Sequence, residues 1–182
     1  MEYTDRPHYR LFMPKQAVGA SLIYFDLWNA TGSGYDIHVT SVVPVVSGAV
    51  AVTGIVGIDL HLHRTSAIGT GGTAAGFELS AITSASVVGM RAGSQPMPLG
   101  ITARLTPTGG ATAGALIGWT CVFGEETNAA TYFAPLNNLV TLGRAGAPPL
   151  IIAPNTGMSV AQGAVAATGN IGFNVAFDLK AR

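Results

Sequence analysis

The chain has 182 residues, a length near that of one domain and sufficient to bury a core without disulfides or a metal. Its nine basic and nine acidic residues cancel, so it lacks the basic surface of a nucleic-acid-binding protein and the net charge that would attract it to an anionic membrane. Only 10% of the residues are charged, against about 25% in ordinary globular domains, which predicts a subunit whose surface is largely covered by partners.

Residues 1–20 are predicted to form an extended N-terminal arm. Pro7 and Pro14 argue against a regular helix or a central strand. A disordered terminus is the alternative, but disordered ends are usually poor in aromatic residues and this one is not. We therefore expect the arm to anchor the chain on a partner through its apolar side chains, which are Tyr3, Tyr9, Leu11, Phe12 and Met13.

A single β-sandwich domain is predicted over residues 21–182. Apolar and polar residues alternate with a period of two, which is typical of antiparallel strands with one buried and one solvent-exposed face. No window of 11 or more residues shows a helical stripe. Roughly eight to ten short strands separated by Gly, Pro and Asn turns predict an all-β, antiparallel sandwich or barrel. The clearest strands cover residues 23–28, 35–40 (running on toward 46), 56–63 and 171–180, and residues 116–123 form a firmer candidate than the remaining ones. Weaker candidates cover 77–82, 87–91, 101–105, 139–142 and 150–152.

The most apolar run, residues 42–62, does not fit a membrane span. Pro44 and three glycines interrupt it, and Asp59 and His61 lie inside it. A spanning helix needs about 20 predominantly apolar residues. The N-terminus also has no apolar stretch typical of a signal peptide. We therefore expect no membrane partner.

Two histidines two positions apart, His61 and His63, suggest a metal site, with His38 as a third candidate on a neighbouring strand. The spacing resembles the His-x-His of the cupins, a family of metal-binding sandwiches. The cupin pattern also has a glycine six positions before the first histidine and a glutamate four or five after the second. Ile55 occupies the glycine position, and the next acid is Glu78. We therefore expect surface histidines and no stoichiometric metal or other cofactor.

The residues also provide no recognisable catalytic site. Cys121, the single cysteine, lies in an apolar strand-like stretch where a thiol is usually inert. Glu125 and Glu126 are adjacent, so within a strand they would point to opposite faces. The chain has no Gly-x-Ser-x-Gly motif, and the glycine-rich residues 69–76 do not open a helix in a βαβ unit. The protein is therefore predicted not to be an enzyme.

Three stretches of the chain resemble the decoration (cement) proteins of tailed-bacteriophage heads. They are the strand and turn of residues 24–34, the strand of residues 56–66 running into a glycine pair, and residues 150–157 followed by 169–179. The chain departs from that type of protein at Asn155 and Thr156, which replace a glycine-containing turn, and in its final strand.

The resemblance implies a jelly-roll or related sandwich that binds the major capsid protein. It further implies a homo-oligomer, commonly a trimer, made in the host cytoplasm and located on the capsid surface of the virion. An uncharged surface suits that role, and so does an arm that adds a strand to a neighbouring sheet. Neutral partners are also expected to associate with little dependence on salt.

Three alternatives remain open. The first is another phage structural component, from the tail, the collar or a head fibre. The second is a carbohydrate-binding sandwich in which Trp28, Tyr35 or Trp119 stacks on a sugar ring. The third is a cupin-like enzyme.

Overall fold

The computed structural model describes residues 6–47, 55–91, 93–109, 113–127, 130–133, 140–141, 149–167 and 169–182. Within these ranges the chain forms fourteen β-strands and no helix, and thus contains no helix with the length and apolar character that crossing a bilayer requires. The strands are β1 (His8–Ala17), β2 (Ile23–Asn29), β3 (Tyr35–Ser47), β4 (Ile55–Thr65), β5 (Thr73–Ala74), β6 (Gly76–Phe77), β7 (Ser86–Gly89), β8 (Ile101–Leu105), β9 (Ala113–Thr127), β10 (Ala130–Phe133), β11 (Val140–Thr141), β12 (Leu150–Ile152), β13 (Thr156–Gln162) and β14 (Asn170–Ala181).

Two mainly antiparallel sheets pack as a sandwich, which confirms the predicted fold class. Sheet 1 has the order β11-β3-β14-β1-β7-β6, with β12 also pairing with β3. Sheet 2 has the order β10-β9-β4-β13-β2-β8-β5. Among the strand pairs that the structure describes, β6 with β7 is the parallel one.

The two halves of the chain pair in a nested order. β1 pairs with β14 and β3 with β12 in sheet 1, whereas β2 pairs with β13 and β4 with β9 in sheet 2. Successive pairs therefore alternate between the sheets. One consequence is that β1 and β14, which are distant in sequence, lie side by side in the interior of sheet 1.

The core lies between the sheets, where the predicted alternation is seen most clearly in β4 and β14. On β4, Ile58, Leu60 and Leu62 are buried, whereas the residues between them are partly exposed. Such one-sided burial is what a period of two produces when a sheet packs on one face. The inward residues of β14 are Ile171, Phe173, Val175, Phe177 and Leu179, all buried.

The segment 8–17 is extended, as predicted, but it is an interior strand of its own domain rather than an arm. β1 pairs with β14 along one edge and with β7 along the other. The side chains of Tyr9, Leu11 and Met13 are 4%, 0% and 0% exposed and belong to the chain's own core. The predicted boundary at residue 20 and the partner-anchoring role of these three residues are therefore wrong. Phe12 is half-buried, and Tyr3 lies outside the described residues.

A bulge in β1 explains how the strand accommodates its proline. The pairing of β1 with β14 shifts register between Met13 and Gln16, so Pro14 lies where the ladder is interrupted. A proline at a bulge does not have to donate a ladder hydrogen bond. The proline therefore did not exclude a central strand.

Residues 66–109, here called the insertion, extend both sheets on the same side. β7 and β6 continue sheet 1 beyond β1, and β8 and β5 continue sheet 2 beyond β2. The chain turns closely at Gly72, whose φ is +63° and where an added Cβ would lie 2.2 Å from the carbonyl oxygen of Leu105. The turn therefore requires glycine.

Candidate functional site

His61 and His63 lie on the outer face of β4, as the alternation predicted, with ring centroids 5.8 Å apart. His61 Nε2 is 3.0 Å from Asp59 Oδ2, and His63 Nδ1 is 3.3 Å from the carbonyl oxygen of Gly114. His38 does not join them, because β3 belongs to sheet 1. Within the described part of the chain, no three His, Cys, Asp or Glu side chains are grouped as metal ligands. The absence of a bound metal stays a prediction.

Trp119 extends the same outer face. It is the cross-strand partner of His61 on β9 and is 64% exposed. Its indole Nε1 donates a hydrogen bond to Asp59 Oδ1, which holds the ring in place. Of the three aromatic residues proposed to stack on sugars, Trp28 is buried and Tyr35 is partly buried. Trp119 is the one whose ring is mostly accessible.

Cys121 lies opposite Asp59 on the strand pair β4–β9 and is partly buried. Burial raises the pKa of its thiol above the ordinary value, and the nearby Asp59 carboxylate raises it further. Both effects favour the protonated thiol at neutral pH. Because the thiolate is the nucleophile, this environment disfavours reactivity.

A cavity of about 820 Å³ lies on the outer face of sheet 1. Three arginines line it, Arg6, Arg10 and Arg91, and we call it the arginine pocket. Sequence reasoning did not identify it, because its residues come from the segment before β1, from β1, β3 and β14, and from the loop after β7. The other lining residues are Pro7, His8, Tyr9, Thr40, Met90, Ser94, Gln95, Ala176, Phe177 and Asp178.

Large apolar side chains are concentrated on the surface of the insertion. Among the described residues, ten large apolar side chains are exposed, and six of them belong to the insertion. Leu99 is 95% exposed and Ile82 is 80% exposed. The other four are Ile68, Leu79, Val88 and Met90.

Asp26 fastens the insertion to the sandwich. Its Oδ2 accepts a hydrogen bond of 2.7 Å from the backbone N–H of Gly69, the fourth residue of the insertion. An added Cβ at Gly69 would lie 2.5 Å from that oxygen, so the contact requires glycine. Burial raises the pKa of the Asp26 carboxyl, although the Gly69 N–H and the nearby Arg104 guanidinium both oppose the rise.

The raised pKa of Asp26 predicts a loss of stability with rising pH. The folded protein binds the proton of the Asp26 carboxyl more tightly than the unfolded protein does, and this difference stabilises the fold. The stabilisation is complete below the pKa that Asp26 has in the unfolded chain, and it is lost as pH rises through the pKa that Asp26 has in the folded chain. Asp26→Asn keeps an oxygen acceptor for Gly69 but does not ionise. We expect the melting temperature of the wild type, relative to that of Asp26→Asn, to fall as pH is raised from about 3 to about 8. A constant or rising difference in the thermal melts would contradict the assignment.

Comparisons of the chain with protein-family models, with curated proteins and with solved structures found no match.

Proposed function

We propose that the protein is a virion structural protein that binds the preformed head shell of a tailed bacteriophage and stabilises it as a decoration protein. The exposed apolar side chains of the insertion carry this proposal, because a chain with so few charges needs a partner to cover them. Neighbouring subunits of a shell present the same surface many times. Weak apolar contacts repeated over many copies are sufficient for stable attachment.

The nested strand order supports a jelly roll, the finer fold assignment within this proposal. A long antiparallel hairpin that rolls up into two sheets places successive strand pairs in alternate sheets, as β1–β14, β2–β13, β3–β12 and β4–β9 do. Jelly rolls are common in viral capsid proteins, but they also occur in lectin domains and cupins. The fold therefore agrees with the proposal without deciding it.

The proposed partners are the major capsid protein and further copies of the chain, arranged as a trimer on the capsid surface. A cyclic trimer matches a three-fold junction of the shell, where three equivalent subunits meet. The net charge of zero favours neither nucleic acid nor an anionic membrane as a partner. Residues 8–17 are part of the sandwich, so they do not provide an arm that adds a strand to a neighbouring subunit.

Binding to undecorated shells tests the proposal. Purified protein is added to shells that lack it, and the number of bound copies and the temperature of shell disruption are measured. We expect saturable binding and a higher disruption temperature. Absence of binding, together with a location on tails, would favour a tail, collar or head-fibre protein instead.

Charged substitutions in the insertion should weaken attachment without unfolding the protein. We expect Ile82→Asp and Leu99→Asp together to weaken binding to shells by at least about tenfold, because each buries a charge if the interface forms. The melting temperature of the isolated variant should change little, since both side chains are exposed. Val165→Asp is the matched control, because Val165 is also exposed but lies outside the insertion. Equal binding by the double variant and the wild type would remove the insertion from the interface.

A saccharide-binding protein is the second candidate, favoured by the exposed ring of Trp119. Its fixed indole, beside the Asp59 carboxylate and the His61 imidazole, offers an apolar face next to polar groups. This candidate would be preferred if the protein did not bind shells but were retarded by a polysaccharide, with the retardation lost in Trp119→Ala.

A further inference from the structure

We propose that the arginine pocket binds the carboxylate side chains of an acidic peptide segment. In the assembled virion that segment would belong to the shell subunit on which the protein sits, and this second part rests on the proposed function. The pocket itself is argued from its geometry and charge alone.

The register of sheet 1 places the polar residues of the pocket on one face. His8 pairs with Asp178, and Arg10 pairs with Ala176. Cross-strand partners project to the same side, opposite to the inward Tyr9 and its neighbours. The residues after β7 form a second side of the cavity, and Met90 is fixed there by a hydrogen bond of 2.9 Å from its N–H to the carbonyl oxygen of His8. The pocket is therefore built on paired strands and not on a loop alone.

The pocket carries an excess of positive charge in a protein whose net charge is zero. Three guanidinium groups line it, whereas the described lining contains a single carboxylate, that of Asp178. Asp178 Oδ1 accepts a hydrogen bond of 2.5 Å from His8 Nδ1. Within the described residues, Arg6 and Arg10 have no ion pair, and Arg10 is exposed. Two guanidinium groups are thus available to an incoming anion.

The remaining lining favours a peptide over a nucleic acid or an isolated oxyanion. Pro7, Met90 and Ala176 provide apolar contacts, and Met90 is half exposed. Gln95 provides a neutral amide suited to a main chain. The hydroxyls of Thr40 and Ser94 donate to the carbonyl oxygens of Ala176 and Arg91 and can still accept a hydrogen bond from a main-chain N–H. A volume of about 820 Å³ exceeds what one oxyanion fills. Nucleic acid requires a basic strip along its backbone, which this confined pocket in a neutral chain does not provide.

Arginine is well suited to this task, since its planar fork can bind both oxygens of a carboxylate at once. An extended segment with alternating acidic and apolar residues could place its carboxylates on Arg6 and Arg10 and an apolar side chain on Met90. Such local pairing would coexist with an apolar interface at the insertion. It would also make one component of shell binding depend on salt, although the neutral surface as a whole predicts a weak dependence.

Fluorescence anisotropy with a labelled peptide tests the pocket on the isolated protein. The probe is a peptide of interspersed glutamate, leucine and glycine, and the matched peptide carries glutamine in place of glutamate. We expect the acidic peptide to bind and the glutamine peptide to bind at least about tenfold more weakly. Raising NaCl from about 50 to about 500 mM should weaken binding of the acidic peptide severalfold, because the charges are partly exposed.

Variants assign the binding to the pocket. Arg6→Gln with Arg10→Gln should weaken binding of the acidic peptide by at least about tenfold. Arg10→Lys keeps the positive charge but loses the planar fork of the guanidinium group. Its affinity for the acidic peptide should lie between that of the wild type and that of the Arg6→Gln/Arg10→Gln variant. Arg64→Gln is the control, because Arg64 is an exposed arginine on the other sheet, and it should bind as the wild type does. Thermal melts of each variant establish that it is folded.

Three results would overturn the proposal: equal binding of the two peptides, unchanged binding by the Arg6/Arg10 double variant, or tighter binding of a DNA duplex that depends on the same arginines. The shell assay separates this proposal from the proposed function. Shell binding without peptide binding would leave the decoration role intact and refute the pocket. Peptide binding without shell binding would support the pocket and refute the decoration role.

Discussion

Deletion of residues 1–18 is expected to abolish cooperative folding of the isolated protein. The deletion removes β1 from between β14 and β7 and leaves the ladder edges of both strands unpaired. It also removes three core side chains, those of Tyr9, Leu11 and Met13, and uncovers the residues they pack against. The measurement is a thermal melt of the purified protein followed by circular dichroism. We expect a cooperative transition in the full chain and none in the truncated chain.

Smaller changes in the same strand separate the loss of packing from the loss of the terminus itself. Deleting residues 1–5 leaves all of β1 in place and should leave the transition intact. Leu11→Ala should lower the free energy of unfolding by about 2–5 kcal/mol, the usual cost of truncating a buried leucine. Phe12→Ala, at a half-buried position, should cost less. A truncated chain that melts at the wild-type temperature would restore the interpretation of this segment as a separate arm.

The alternation of apolar residues predicted the strands whose two faces differ. In β4 and β14 one face packs on the core and the other faces outward, so a period of two is visible in the sequence. In β2 the alternation predicted one solvent-exposed face, but both faces of this strand are buried. Asp26 and Trp28 are buried, and the Gly69 loop contacts Asp26. Coverage of a strand by a distant loop leaves no local periodic signal.

The sequence did not predict β1 as an interior strand, because the local signals favoured an arm and the pairing of β1 with β14 has no local signal. Pro14 argued against a central strand, and the apolar side chains interleaved with the prolines argued for an anchoring arm. The partner strand β14 lies at the opposite end of the chain, so its pairing could not be inferred from neighbouring residues. The bulge between Met13 and Gln16, which accommodates the proline, becomes visible only once that register is known.

The candidate surfaces also differ in whether they can be predicted from residues close together in the sequence. His61 and His63 were placed correctly on one outer face, because residues two apart on a strand share a side. Trp119 beside them depends on the register of β9 against β4. The arginine pocket combines residues from positions 6–10, 40, 90–95 and 176–178. Isolated arginines at distant positions carry no motif, so no sequence pattern could have joined them.

Phe173→Ala is expected to produce the largest loss of stability of any single substitution proposed here. Phe173 is fully buried in β14 of sheet 1. Its ring centroid lies 5.2 Å from that of Phe25 and 5.6 Å from that of Tyr24, both on β2 of sheet 2. These distances are within the range of favourable aromatic pairs, so the residue contributes ring contacts between the sheets in addition to its buried area.

Truncation of this ring to a methyl group should lower the free energy of unfolding by about 3–5 kcal/mol, since a buried cavity forms that paired strands cannot easily collapse. A domain of this size is stable by only about 5–15 kcal/mol, so the variant should unfold at a much lower denaturant concentration. Asn174→Ala is the matched control, because Asn174 is the next residue along β14 and is exposed on the opposite face. Chemical denaturation of both variants gives the two free energies. A loss below about 1 kcal/mol for Phe173→Ala would mean that the two sheets do not meet at this ring, and the sandwich would then have to be packed in another register.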